Sequence, residues 1–93
     1  LDTQSCEWLA RNPAIYGLYV DGSSLNDAGL DRLRPLKNMR WFTACDTKIT
    51  DVGVPALAAW PILETVYLSG PAITDEALKT IGRIYSLRWL SLN

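Results

Sequence analysis

Shifting the chain against itself by 24 residues superposes Leu25-Asn26-Asp27-Ala28-Gly29-Leu30 on Ile49-Thr50-Asp51-Val52-Gly53-Val54 and on Ile73-Thr74-Asp75-Glu76-Ala77-Leu78. The same step carries Ile15 to Met39, Leu63 and Leu87; Leu18 to Phe42, Val66 and Leu90; and Val20 to Ala44, Leu68 and Leu92. All twelve positions are apolar. Two further rows fill the interval: Leu33, Leu57 and Ile81, with Leu9 ahead of them, and Leu36, Trp60 and Ile84. Leu1 and Cys6 align upstream with Leu25 and Leu30. Four units, 1–24, 25–48, 49–72 and 73–93, account for the whole chain as a single repeat domain.

Each unit has two halves of different period. Leu18-Tyr19-Val20, Phe42-Thr43-Ala44, Val66-Tyr67-Leu68 and Leu90-Ser91-Leu92 alternate with period two and predict short strands. Apolar residues at 30, 33 and 36, at 54, 57 and 60, and at 78, 81 and 84 recur every third position and predict short helices with three-ten character. Asp27, Thr50-Asp51 and Thr74-Asp75 are expected to start these helices by accepting their free N–H groups, and Pro13 and Pro61 to stop them. The small residues Gly29, Gly53 and Ala77 share a row where a helix backbone comes close to its neighbour. One strand and one helix cannot bury both faces alone. Successive units must stack, strand beside parallel strand, with the helices outside a right-handed coil.

The expected fold is therefore α/β, a right-handed solenoid of four strand-helix units with a parallel concave sheet and short helices on the convex side. The stretch Leu63-x-x-Val66-x-Leu68-x-x-Pro71-x-Ile73-Thr74-Asp75-x-x-Leu78 resembles a leucine-rich repeat, and more narrowly the 24-residue bacterial variety with Thr-Asp after the strand, similar to the cysteine-containing type. The row where that family carries an Asn, Cys or Thr bonding the turn backbone holds Ser23, Thr47 and Pro71 here. Pro71 has no hydroxyl to donate, which predicts a locally irregular turn. The resemblance implies a module that binds another macromolecule on its concave sheet.

If positions 18 and 20 of each unit point to the core, positions 17, 19 and 21 point to the open face. Those rows read Gly17, Trp41, Thr65, Trp89; then Tyr19, Thr43, Tyr67, Ser91; then Asp21, Cys45, Ser69, Asn93. Tyr19, Trp41, Tyr67 and Trp89 form an aromatic zigzag across neighbouring strands, and exposed clusters of Trp and Tyr are what binding hot spots are built from. The competing expectation is that these rings only shield the sheet. Arg40, Glu64 and Arg88, in one row with Tyr16, stand at the start of the strands as a charged rim, read either as a binding determinant or as a ladder of mutually paired surface charges. Trp8 falls in an outward helix row.

Composition narrows the chemistry. Across 93 residues, 48% are apolar and 20% charged, which is enough to fill a core and excludes a disordered chain. The net charge of -1, with nine Lys and Arg spread along the chain, lacks the field that nucleic acid or an anionic membrane requires, and no apolar run is long enough for a membrane span. The first residue is not Met and nothing near it reads as a signal peptide, so the chain is expected to be a fragment or part of a larger assembly. Histidine is absent, which removes the commonest general base and zinc ligand. No nucleophile motif, phosphate loop or C-x-x-C occurs, no cofactor is implied, and Asp21-Gly22-Ser23-Ser24 reads as a turn. Cys6 and Cys45 are expected to be free thiols, favouring a reducing, cytoplasmic compartment.

These features together predict a non-enzymatic protein-protein interaction module that uses Tyr19, Trp41, Tyr67 and Trp89, with Arg40, Glu64 and Arg88 setting orientation. Two alternatives stand beside it: a carbohydrate or small-ligand site built on Trp41 and Trp89, and a purely structural segment of a larger enzyme or complex. The sequence shows no polar capping unit, so association through the ends of the stack is also expected.

Overall fold

A computed structural model, which describes residues 2–84 and 86–92, has the strands of period two, but the three-ten character expected of the helices is found only in the third unit, the other helices being α-helical. Helix α1 (Thr3–Ala10) is followed by β1 (Gly17–Tyr19), α2 (Asp27–Arg32), β2 (Trp41–Ala44), a three-ten helix (Val54–Ala59), β3 (Thr65–Leu68), α3 (Asp75–Ile81) and β4 (Trp89–Leu92). The four strands make one parallel sheet in chain order. Its register repeats the sequence offset without a slip: Gly17, Trp41, Thr65 and Trp89 stand side by side, as do Leu18, Phe42, Val66 and Leu90. The protein is α/β, with short helices carried between parallel strands.

The predicted apolar rows form the core except in the last unit, where Leu78 and Leu90 are exposed. Leu30, Leu33, Leu36, Met39, Phe42, Ala44, Val54, Leu57, Trp60, Leu63, Val66 and Leu68 are all buried, while Leu9, Ile15, Leu18, Val20, Ile84 and Leu87 at the two ends are packed against them only in part. Trp60 is the largest of the fully buried side chains: its indole N–H donates to the Leu33 carbonyl at 2.9 Å, and its ring meets Phe42 edge-on at 5.2 Å. At the start of the strands one carbonyl per unit takes two successive N–H groups. Tyr16 accepts from Arg40 and Trp41, Arg40 from Glu64 and Thr65, and Glu64 from Arg88 and Trp89.

The helix starts differ from expectation. Asn26, not Asp27, caps α2, accepting from the Gly29 N–H at 2.8 Å. The three-ten helix begins after Gly53 with no side-chain cap, its first turn carrying Pro55, and only α3 is capped as predicted, by Thr74. The aspartates are used across units instead. Asp27 accepts from the Thr50 N–H at 2.8 Å and the Thr50 hydroxyl at 2.5 Å, and Asp51 accepts from the Thr74 N–H at 2.8 Å and from the Thr74 hydroxyl. A carboxylate has two acceptor oxygens, so one aspartate can hold both donors of one threonine. Gly53 is where this approach is tightest: a Cβ there would lie 2.2 Å from Asp27 Oδ1 and 3.1 Å from Asp27 Cα.

Thr47 turns inward on its own loop, donating to the Ala44 carbonyl and accepting from the Ile49 N–H; Ser23 accepts the corresponding bond from the Leu25 N–H. Gly70, just before Pro71, has φ of +149°, a conformation that glycine alone adopts freely. The expectations for Leu1 in its helix row and Asn93 on the sheet face fall outside the described residues.

Candidate functional site

The two faces of the sheet are told apart most clearly on β3. Along β3, Val66 and Leu68 are buried while Tyr67 is exposed, so the second face lacks a covering layer. Here Tyr19, Trp41, Thr43, Thr65, Tyr67 and Trp89 line one cleft of about 420 Å³. All four aromatics of the zigzag are thus brought together. Tyr19 and Trp89 are 73% and 67% exposed, so their rings do little for the core. Trp41 is half-buried: it meets Tyr16 edge-on at 5.4 Å, and its indole lies over Gly17, where a Cβ would come within 3.2 Å of the ring.

A second cleft, about 410 Å³, adjoins the first. Tyr19 and Trp41 belong to both, and Asn12, Ala14, Ile15, Tyr16 and Gly17 complete it. Tyr16 is the aromatic that row-by-row reading missed. It precedes the first strand residue, where side-chain parity is not set by the alternation, and only the edge contact with Trp41 joins it to the patch.

Arg40 and Arg88 are exposed at the start of β2 and β4, with half-buried Glu64 between them in the same row. No ion pair joins these three among the described residues; the salt bridges found lie on the helical side, Arg32 to Glu7, Arg34 to Asp31 and Lys79 to Glu76. At the opposite end of the strands, Asp21 accepts from the Cys45 N–H at 2.8 Å and Ser69 accepts from the Asp46 N–H at 3.1 Å. Those two members of the third row close backbone, not ligand, hydrogen bonds. Both cysteines are free; Cys6 is buried, which pushes its thiol up, and Cys45 is partly exposed. Trp8 is exposed on α1. Among the described residues no helix is long and apolar enough to cross a membrane.

No family model matches the chain, and no curated protein matches it. The reading of the site therefore rests on its geometry.

Proposed function

We propose that the chain is a right-handed solenoid of the leucine-rich-repeat type that acts as a non-catalytic recognition module, binding another protein chain on its open, concave sheet. Tyr19, Trp41, Tyr67 and Trp89 supply the contact, and Arg40, Glu64 and Arg88 orient it. The observation that carries this reading is the single cleft lined by all four aromatics on a sheet face without a covering layer. Large aromatics spared from the core and clustered on one surface are the residue types that dominate interface energetics. The unbroken 24-residue register and the Asp27-Thr50 and Asp51-Thr74 bonds support the solenoid reading. A second mode of association is supported by the last unit, where Leu78 on α3 and Leu90 on β4, the last strand in the sheet order, are 47% and 40% exposed.

The test is selection of binders from a random peptide library displayed on phage, with Tyr19→Ala and Trp89→Ala as counter-targets. The expected result is a set of peptides whose affinity falls about 30-fold or more on each variant, the loss of a hot-spot side chain of about 2 kcal/mol, while thermal melting of both variants stays close to that of the parent. Failure to select any peptide, or selection of peptides indifferent to both substitutions, overturns the reading. Binding of an oligosaccharide on a glycan array that depends on Trp41 and Trp89 replaces it with the sugar-binding alternative.

A further inference from the structure

The floor of the aromatic cleft holds a polar atom with nothing to bond. Thr43 is 7% exposed, and its hydroxyl oxygen is the one buried side-chain oxygen or nitrogen without a hydrogen-bond partner among the described residues. It stands between Tyr19 and Tyr67 in the register and lines the cleft with them. A buried hydroxyl left unpaired is unfavourable, and a ligand that reaches it recovers that loss.

The spacing of the walls limits what that ligand can be. Trp41 and Trp89 stand two strands apart in one row, and Tyr19 and Tyr67 two strands apart in the next. Each row therefore presents a ring at every second strand, a repeat of about 9.6 Å at the usual strand spacing, with Thr43 and Thr65 in the gaps. A polyproline II helix brings every third residue to the same side at a repeat of about 9.3 Å. Two periods so close stay in step across the sheet. The second cleft shares Tyr19 and Trp41 with the first, so the two adjoin at those rings.

Hydrogen-bond chemistry points the same way. The cleft is lined by four hydroxyls and two indole N–H groups, with no carboxylate, amide or lysine among them. Indole N–H groups only donate, and hydroxyls can donate. A proline-rich segment offers carbonyl acceptors and lacks most of its N–H groups. A sugar needs acceptors for its own hydroxyl protons as well, and the cleft supplies none beyond its hydroxyls. Arg40 and Arg88, exposed and without an ion pair among the described residues, flank half-buried Glu64 beside the Trp row and leave that rim with one net positive charge.

We infer that the cleft takes a proline-rich segment in the polyproline II conformation, lying across the strands, with an acidic residue flanking it at the Arg40 and Arg88 rim. This rests on the proposed protein-binding role of the same face. The Thr43 hydroxyl, closed off while the cleft is empty, donates to a ligand carbonyl once the surrounding rings shift on binding, and the rings of Tyr19, Trp41, Tyr67 and Trp89 pack against the prolines.

The experiment titrates the 93-residue chain with a synthetic oligoproline carrying two terminal glutamates, long enough to cross the four strands at roughly six prolines, and follows tryptophan fluorescence and calorimetric heat. A peptide of equal length and charge with Ala and Ser in place of Pro is the control. Expected are binding to the proline peptide only, a loss of tenfold or more on Trp89→Ala, a threefold or greater loss on Thr43→Val with Thr43→Ser restoring it, and weakening on Arg40→Ala or Arg88→Ala that added salt imitates. Thr43→Val keeps the shape and removes the unpaired hydroxyl, so its melting temperature holds or rises and folding does not confound the result. No binding at millimolar peptide, equal binding of the control, or indifference to Thr43→Val overturns the inference. The peptide-library selection separates the two proposals: selected peptides without proline defeat this one and leave the protein-binding role standing.

Discussion

Asp51 grips Thr74 twice, one carboxylate oxygen taking the backbone N–H at 2.8 Å and the other the side-chain hydroxyl, so that a residue of the third unit fixes the start of the helix in the fourth. Asp27 does the same to Thr50. The Thr50-Asp51 pair thus works as a relay, with Thr50 held by Asp27 of the unit before it and Asp51 holding Thr74 of the unit after it.

This grip makes stability sensitive to acid. The Thr74 hydroxyl, and then its backbone N–H, hold the Asp51 carboxyl below its ordinary range, and the Ser5 N–H does the same for Asp2. A carboxyl with a depressed folded pKa gives stability that is fully present above the unfolded value and is lost as pH falls through the folded one. The melting temperature is therefore expected to hold above about pH 5 and to fall progressively below the ordinary carboxylate range near 4. Asp51→Asn should lower the plateau and flatten this slope, and melting curves recorded from pH 7 to pH 2 provide the check.

Gly53→Ala is expected to destabilise the protein by about 1–3 kcal/mol, the range for forcing an atom into a packed contact. The added Cβ meets the Asp27 carboxylate and its backbone, and the carboxylate cannot swing away without releasing Thr50. At Gly29 the nearest atoms are the end of the Leu25 side chain and the Cys6 sulfur, which yield more easily, so Gly29→Ala should cost less. Urea unfolding of the two variants decides whether that order holds.

Trp60→Phe should cost about 1–2 kcal/mol through one lost hydrogen bond and a small void. The loss is moderate because the Leu33 carbonyl still accepts from the Leu36 N–H. Trp60→Ala removes the partner of Phe42 as well and should cost about 3–5 kcal/mol. Chemical denaturation of both variants checks the pair, and equal losses would mean that the indole N–H is unimportant.

Thiol chemistry should split the two cysteines. With Cys45 partly exposed and Cys6 buried with a raised pKa, one thiol should react quickly with a disulfide reagent in the folded protein and the second only at the rate of opening. Unfolding without reductant should release a count of two, and a slow first thiol would contradict the burial described for Cys45.

Sequence periodicity reached the sheet almost completely, because a constant offset of 24 residues is also the offset of every strand pairing, and a row of apolar positions can only be a row of neighbours. It misplaced the helix starts for a physical reason. Asp27 beside Asn26 looks like a local cap, and nothing within one unit distinguishes a carboxylate that serves its own helix from one that reaches Thr50. The zigzag of Tyr19, Trp41, Tyr67 and Trp89 was legible from parity alone. Tyr16 and the unpaired Thr43 hydroxyl were not, since one depends on where the strand begins and the other on how far neighbouring rings shut out water.

Among the described residues, helices meet only the next helix and strands only the next strand: α1 meets α2, α2 meets the three-ten helix, that helix meets α3, and each strand meets the next. Nothing links the first unit to the third or the second to the fourth through these contacts. Length is accordingly a free variable at the level of the gene. Duplicating or excising 24 codons leaves the strand pairing in register, and 48 codons are needed to keep the two-strand beat of the aromatics in phase, whereas inserting or deleting one codon inside a strand throws all that follows onto the wrong face.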